Sequence, residues 1–258
     1  MQMQSLQQTL ISPADVPGED LAFRDPPELT FEGFSQKAFD ALTKLREAPH
    51  IGTYREIKPV LTKEIKQPFK RYRDDLVVNW VLPSRLDLET EKNVFSRFLK
   101  NDFGAGGCHD NRWMSFYRPG LKRLTDVQLS HSLTPDGLKI GAYVGAYARE
   151  PLERVKHSIS AAPGRFLDVV NSLLRSPNWY FEAYRGRGEQ RESTQATGPL
   201  AKVPELTYRA SGLWVRTVLS PDEVVRLEGR VLSRVLRIIE EVWPMYRFFL
   251  RPPSHIDD

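Results

Sequence analysis

The chain has 258 residues, 40% of them hydrophobic, which is enough for a real core and too many for a wholly disordered chain. Its 37 Lys and Arg against 33 Asp and Glu leave a formal charge of +4, a mildly basic balance that is compatible with nucleic acid without pointing to it. A single cysteine, Cys108, excludes an internal disulfide and any cysteine-based zinc cluster, and no run approaches the ~18 apolar residues of a transmembrane helix.

Residues 1–28 are rich in Gln, Pro and acidic groups and read as a flexible or surface-docked arm ahead of a single domain over 29–258. The first residues have no basic or apolar leader segment, so no secretory signal is expected and the expected location is the cytoplasm. From Thr30 the residues Phe31, Phe34, Ala38, Ala41, Leu42 and Leu45 recur at helical spacing, and Pro49 ends that helix. A second helical stretch starts near Thr53, with Tyr54, Ile57, Val60, Leu61 and Ile65 inward. Pro59 and Pro68 predict that it is kinked or split. The apolar run Leu76 to Leu82 fits a buried helix end or a short strand. Glu89 to Lys100 predicts a short helix, and the glycine-rich Asp102 to Asp110 a connector.

The clearest pattern follows. Thr134-Pro135-Asp136-Gly137 is turn chemistry, with Pro presetting φ and Gly accepting φ > 0. Folding outward from it pairs Leu133 with Leu138, His131 with Ile140, Leu129 with Ala142 and Val127 with Val144, an apolar face broken only by the histidine. The other face pairs Ser132 with Lys139, Ser130 with Gly141 and Gln128 with Tyr143. The agreement of turn and alternation predicts a β-hairpin over 126–147, and Arg112 to Tyr117 a further strand beside it.

Glu150-Pro151 opens a helix with Leu152, Val155 and Ile159 inward, and Arg165 to Leu174 continues as another after Pro163-Gly164. Asn178 to Tyr184 and Gly212 to Leu219 read as strands, with a polar loop over Arg185 to Thr194 between them. Ser220-Pro221-Asp222-Glu223 is a capping box that opens a long helix, which Pro244 should end or kink. The whole predicts an α+β fold: a small, mainly antiparallel sheet, built on the 126–147 hairpin and packed against helices from both chain ends.

Motifs for chemistry are sparse. Gly104-x-Gly106-Gly107 lacks the Gly-Lys-Ser/Thr ending of a phosphate loop and reads as a connector. Cys108-His109-Asp110 has nucleophile, base and carboxylate in consecutive positions, where side chains seldom converge. Glu56-Ile57-Lys58 and Glu64-Ile65-Lys66 match a short nuclease piece but lie on helical pattern. No His pair has metal-ligand spacing, so no metal and no cofactor are expected. Three basic clusters stand out: Arg71 and Arg73 around Tyr72; Arg185 and Arg187 after Trp179, Tyr180 and Tyr184; and Arg226, Arg230, Arg234 and Arg237 as one ridge on the last helix. Arginine interleaved with aromatics suits single-stranded nucleic acid. On the hairpin, Gly141 and Gly145 flank Tyr143, and such glycines mark close approach of a helix or a ligand.

Several stretches together resemble an uncharacterised family, domain of unknown function twenty-four sixty-one, of bacteria and fungi. Tyr54-Arg55-Glu56-Ile57-Lys58-Pro59, the Ile140 to Tyr147 strand leading into Pro151-Leu152-Glu153-Arg154-Val155-Lys156, and Arg247-Phe248-Phe249-Leu250 match its pattern over residues 30–250. Tyr72-Arg73-Asp74 is a fragment of the family's most distinctive piece, whose Lys-x-Pro-Tyr part is missing here. The resemblance implies a fold class and no established activity. Two functions are expected from the residues. The first is a non-catalytic binding or accessory subunit whose basic clusters contact nucleic acid or a protein partner, with no membrane contact. The alternative is an enzyme with a pocket on the Tyr143 face, drawing on His131, Tyr143, Lys139, Gln128 and Ser130, with carboxylates from the Asp74-Asp75 and Asp102 to Asp110 regions.

Overall fold

The computed structural model describes residues 9–186 and 188–251. It is an α+β fold with a six-stranded, wholly antiparallel sheet in the order β1-β2-β3-β6-β4-β5: β1 Arg112–Phe116, β2 Gln128–Thr134, β3 Gly137–Val144, β4 Trp179–Arg185, β5 Glu192–Ala196 and β6 Gly212–Leu219. The hairpin has the register that its turn implies, from Gln128 opposite Tyr143 to Leu133 opposite Leu138. β1 lies beside β2 at the outer end of the sheet, with Met114 opposite His131 and Ser115 opposite Ser130. Among the described residues no helix is long and apolar enough to cross a membrane.

Alternation sends Leu129, Leu133, Ile140, Ala142, Leu213, Val215 and Phe181 to one face, all fully buried. Helices from both sides of the sheet in sequence cover that face. α1 (Gln36–Glu47) comes first. A single helical rod then runs from Ile51 to Val81, in which α2 (Ile51–Val60) and α3 (Gln67–Leu76) alternate with π-helical turns over Leu61–Lys66 and Val77–Val81. The rod is not split at its prolines. The π turn between Pro59 and Pro68 shifts the bonding to five residues, as in Gln67 N–H to Thr62 O, where a missing proline N–H is absorbed. Leu76 to Leu82 is therefore helix rather than strand. α4 (Arg149–Ala161), α5 (Pro163–Leu174), α6 (Glu205–Tyr208), α7 (Pro221–Leu227) and α8 (Val231–Leu250) complete the set.

Four expectations are corrected. Glu89 to Lys100 is extended, not helical. The free edge of β1 offers backbone partners, and Ser96 N–H bonds Trp113 O at 2.7 Å while Ser115 N–H bonds Val94 O at 3.1 Å. The polar stretch at 192–196 is the edge strand β5. The last helix breaks after Leu227, where Glu228 takes φ 51° and Gly33, at φ 112°, packs so close that a Cβ on it would meet the Glu228 Cα at 2.7 Å. Of the two expectations for Pro244, ending the helix is the one corrected: α8 runs through it to Leu250. Met245, Tyr246, Phe248, Phe249 and Leu250 beyond it are all buried. At ~1.5–3 kcal/mol for each apolar side chain, their burial outweighs the ~3 kcal/mol of an interior proline.

The 9–28 segment docks on the helical layer. Trp243 Nε1–H bonds Val16 O at 2.8 Å, and Val16 is buried. Asp75 then fixes the chain ahead of α1, accepting from the backbone N–H groups of Thr30 and Phe31 at 2.8 Å each.

His131 and Thr217, both opposite Ile140, are polar members of the apolar face, and His131 is the titratable one. Its ring is fully buried, with Phe116 and Tyr72 edge-on to it, and its Nδ1 lies 2.8 Å from the Tyr72 hydroxyl while Nε2 has no partner. Burial pushes the His131 pKa from 6.5 down to about 3. Between those values the unfolded chain binds a proton that the folded chain excludes, so stability falls as the pH drops through this window. His131→Gln keeps an acceptor for Tyr72 and removes the titration. Urea melts from pH 6.5 to 4.5 should show the wild type losing stability faster than the variant by roughly 1.4 kcal/mol per pH unit. Parallel pH profiles would contradict this assignment.

Candidate functional site

The opposite face of the sheet carries the groove. Three cross-strand rows build it. Trp113, Ser132 and Lys139 form one, Ser115, Ser130, Gly141 and Arg216 the next, and Gln128, Tyr143, Trp214 and Glu182 the third. The middle row is low because its first three side chains are small. Gly141 is required there by the close approach of β6: a Cβ would lie 2.1 Å from the Val215 carbonyl oxygen. The close approach at Gly141 is that of a neighbouring strand rather than of a helix, and Gly145 makes room for the Tyr143 ring itself. The result is a cavity of about 390 Å³ with a floor of Gln128, Ser130, Ser132 and Thr134 and walls of Trp113, Tyr143 and Trp214. Lys139 and Arg216 are its cations.

Its aromatic wall is closely packed. The Tyr143 ring stacks on Trp214 at 4.0 Å, and the Tyr143 and Tyr184 hydroxyls are 2.7 Å apart. Burial, with the neighbouring Tyr184, raises the Tyr143 pKa far above its ordinary value, so the phenol stays protonated. The Arg216 guanidinium lies 4.6 Å from the Trp214 ring centroid and 4.9 Å from that of Tyr180. Glu182, 3% exposed, holds it at 3.2 Å and also accepts from Arg191.

A second depression of about 580 Å³ adjoins the first along the β1 edge, sharing Trp113, Leu124 and Tyr147 with it. Arg97, Lys122, Arg123 and His109 line it. The Arg123 guanidinium sits 4.3 Å from the Trp113 centroid, on the wall common to both. Among the described residues neither depression is lined by a carboxylate. Burial and the nearby Arg97 lower the Arg123 pKa, while Tyr117 opposes the shift. Leu99, Leu121, Leu124 and Tyr147, all exposed, add apolar surface around the same edge.

Of the residues expected on the Tyr143 face, Gln128, Ser130, Lys139 and Tyr143 line the groove together. His131 does not join them, because alternation turns it into the core, onto Tyr72. The expected carboxylates do not converge on the groove either. Asp74 pairs with Arg73, Asp75 caps backbone, Asp102 accepts from Gly106 and Gly107 N–H groups, and Asp110 binds Arg46 at 2.9 Å. The Cys108 thiol is buried, which raises its pKa. No group of three His, Cys, Asp or Glu suited to a metal is present among the described residues.

The arginines of the basic clusters lie elsewhere. Tyr72 on His131, and Trp80 between Phe116 and Trp243, place α3 and α8 behind the apolar face. Arg73 is 9% exposed and bonded to Asp74 and to the Thr90 carbonyl oxygen. Arg71 is 3.6 Å from Glu32. The break at Glu228 separates Arg226 from Arg234 and Arg237, with Arg230 in the 3-10 turn between, so the four do not form one ridge. Arg234 is 3.5 Å from Glu241. Arg185 alternates with Tyr184 to the helical side, and Arg187 lies outside the described residues. Trp113, Trp214 and Arg216 escaped the sequence reading. Their signal was present: bulky or charged residues alternating with Met114, Leu213 and Val215 on strands whose other face is core.

No known family matches the chain, and no curated protein matches it either.

Glu182 is the buried charge on which the wall depends. Glu182→Ala leaves Arg216 and Arg191 without their carboxylate and should cost about 3 kcal/mol in chemical denaturation. The exposed Arg209–Glu192 pair provides the contrast, since Glu192→Ala should cost less than about 1 kcal/mol. Equal losses would show that the Glu182 pair is no more than a surface pair.

Proposed function

We propose that the chain is a non-catalytic binding module for single-stranded nucleic acid, which lies on the open face of the sheet rather than on the helical arginines. The observation that carries this reading is the pair of adjoining depressions around Trp113. Both are walled by aromatic rings and cations, and among the described residues no carboxylate lines either, Asp136 and Glu182 standing behind Lys139 and Arg216. Rings give each base a stacking platform, and Lys139, Arg216, Arg97, Lys122 and Arg123 supply charge along the path of the backbone. The enzyme alternative has less support: among the described residues the sheet-face groove is lined by no Asp, Glu, His or Cys, and of its proton-transfer groups Tyr143 is held protonated by burial and Lys139 has Asp136 at 3.4 Å. The family resemblance is to a family without an established activity, so the chemistry of the groove supports the reading by itself.

Anisotropy of a fluorescein-labelled uridine dodecamer, titrated across salt concentrations, tests it. Stacking is worth ~1–3 kcal/mol per base, so Trp113→Ala or Trp214→Ala should weaken binding at least about fivefold. Arg97→Ala and Arg123→Ala should each reduce the salt slope by about 0.7, the value for one phosphate on a single strand. Arg234→Ala with Arg237→Ala should leave both quantities unchanged. The opposite ranking would move the interface to the helical layer, and absence of binding at low salt would end the proposal.

A further inference from the structure

The floor of the groove holds polar groups that the protein leaves unused. Gln128 is 2% exposed and Ser130 3%, and neither side chain has a hydrogen-bond partner among the described residues. Beside them the Ser115 hydroxyl is buried without a partner, as is Arg216 Nε. The Gln128 amide and the Ser130 hydroxyl line the open groove, so their donors and acceptors face a polar edge brought from outside. Its dimensions are set by the strands. Gln128 and Ser132 flank Ser130 along β2, each about 7 Å away. Between them, over Ser130 and Gly141, stands no large side chain. The gap therefore has the width of one ring, with an amide on one flank and, on the other, Ser132 and its cross-strand partner Lys139.

The chemistry of the flanks narrows the ring. Lys139, with Asp136 at 3.4 Å, has N–H groups to spare, and Gln128 offers one acceptor and two donors. No lining group is a pure acceptor. The surroundings suit an edge with an N–H between two carbonyl oxygens, which uracil and thymine carry. Cytosine presents an amino group where they present an oxygen, and adenine has no carbonyl oxygen.

We infer that the gap over Ser130 and Gly141 takes a keto pyrimidine, uracil or thymine, and that Gln128 is the specificity-determining residue that reads its edge. This rests on the nucleic-acid reading above and extends it to sequence preference. The test compares labelled dodecamers of uridine, deoxythymidine, cytidine and adenosine on the full chain. Uridine and cytidine are alike in size and charge, so their ratio isolates the edge. Uridine and deoxythymidine should both bind about tenfold tighter than cytidine. Gln128→Leu, of similar volume and apolar, should bring that ratio near one by weakening uridine while leaving cytidine unchanged. Lys139→Met, at a partly exposed position, should narrow it in the same direction without a core substitution. Equal binding of uridine and cytidine by the wild type overturns this inference and leaves the interface standing. A ratio that survives both substitutions overturns the assignment to this gap, and absence of binding by all four oligomers overturns the interface as well.

Discussion

Alternation along β2 and β3 sends successive side chains to opposite sides of the sheet, and among the described residues the helices of both chain halves pack on one of them. The rest of the molecule depends on this one-sided covering. On the helical side the sheet presents aliphatic and aromatic residues, with His131 and Thr217 as buried polar ones. The other side must shield its own backbone, and does so with large side chains laid flat: Tyr143 on Trp214, Arg216 over Trp214 and Tyr180, Arg123 over Trp113. Rings and guanidinium groups shield without filling. Where the small residues Ser115, Ser130 and Gly141 fall in one row, the shield has a gap, and that gap is the groove.

Net charge says little about such a surface. The chain is only mildly basic as a whole, yet its arginines are used in two distinct ways. On the helices they are scattered, and Arg71, Arg73 and Arg234 each have an acidic neighbour. Around Trp113 they line a concavity without carboxylates. Low-dielectric walls concentrate the field of such cations, so a few of them can matter more than a longer arginine series on a convex helix.

The elements that were legible in the sequence are those where local and long-range signals coincide. The hairpin is the plainest example: Pro135-Asp136-Gly137 sets the turn, the alternation sets both faces, and the pairing follows residue by residue. The capping box at Ser220 is another, and its hydroxyl accepts from Glu223 N–H at 3.2 Å. The misread elements are decided by distant partners. Val94, Phe95, Phe98 and Leu99 have helical spacing, but the edge of β1 claims the backbone at Val94 and Phe95, and Cys108 and His109 claim it at Leu99 and Phe98. The break at Glu228 follows from the approach of Gly33, almost two hundred positions away in sequence. The last turns of α8 persist beyond Pro244 because their side chains enter the core. The groove was half legible. Tyr143, Lys139, Gln128 and Ser130 followed from the hairpin faces. Trp113 sits in a run that reads as apolar throughout, Trp214 and Arg216 sit on a strand that reads for its apolar face, and pairing with β2 and β3 brings them to the Tyr143 side.

The two margins of the sheet are unlike. At β1 the outer backbone groups are occupied by the 94–96 segment, so this margin cannot accept another strand without displacing it. At β5 no further strand pairs among the described residues, and the margin carries Glu192, Ser193, Thr194 and Gln195, mostly exposed. Polar and charged side chains on such a margin discourage edge-to-edge self-association. Any templated growth of the sheet, whether with a foreign peptide or with a damaged copy of the chain, is thereby directed to one end of the molecule, and there it meets the sequence least suited to propagate it.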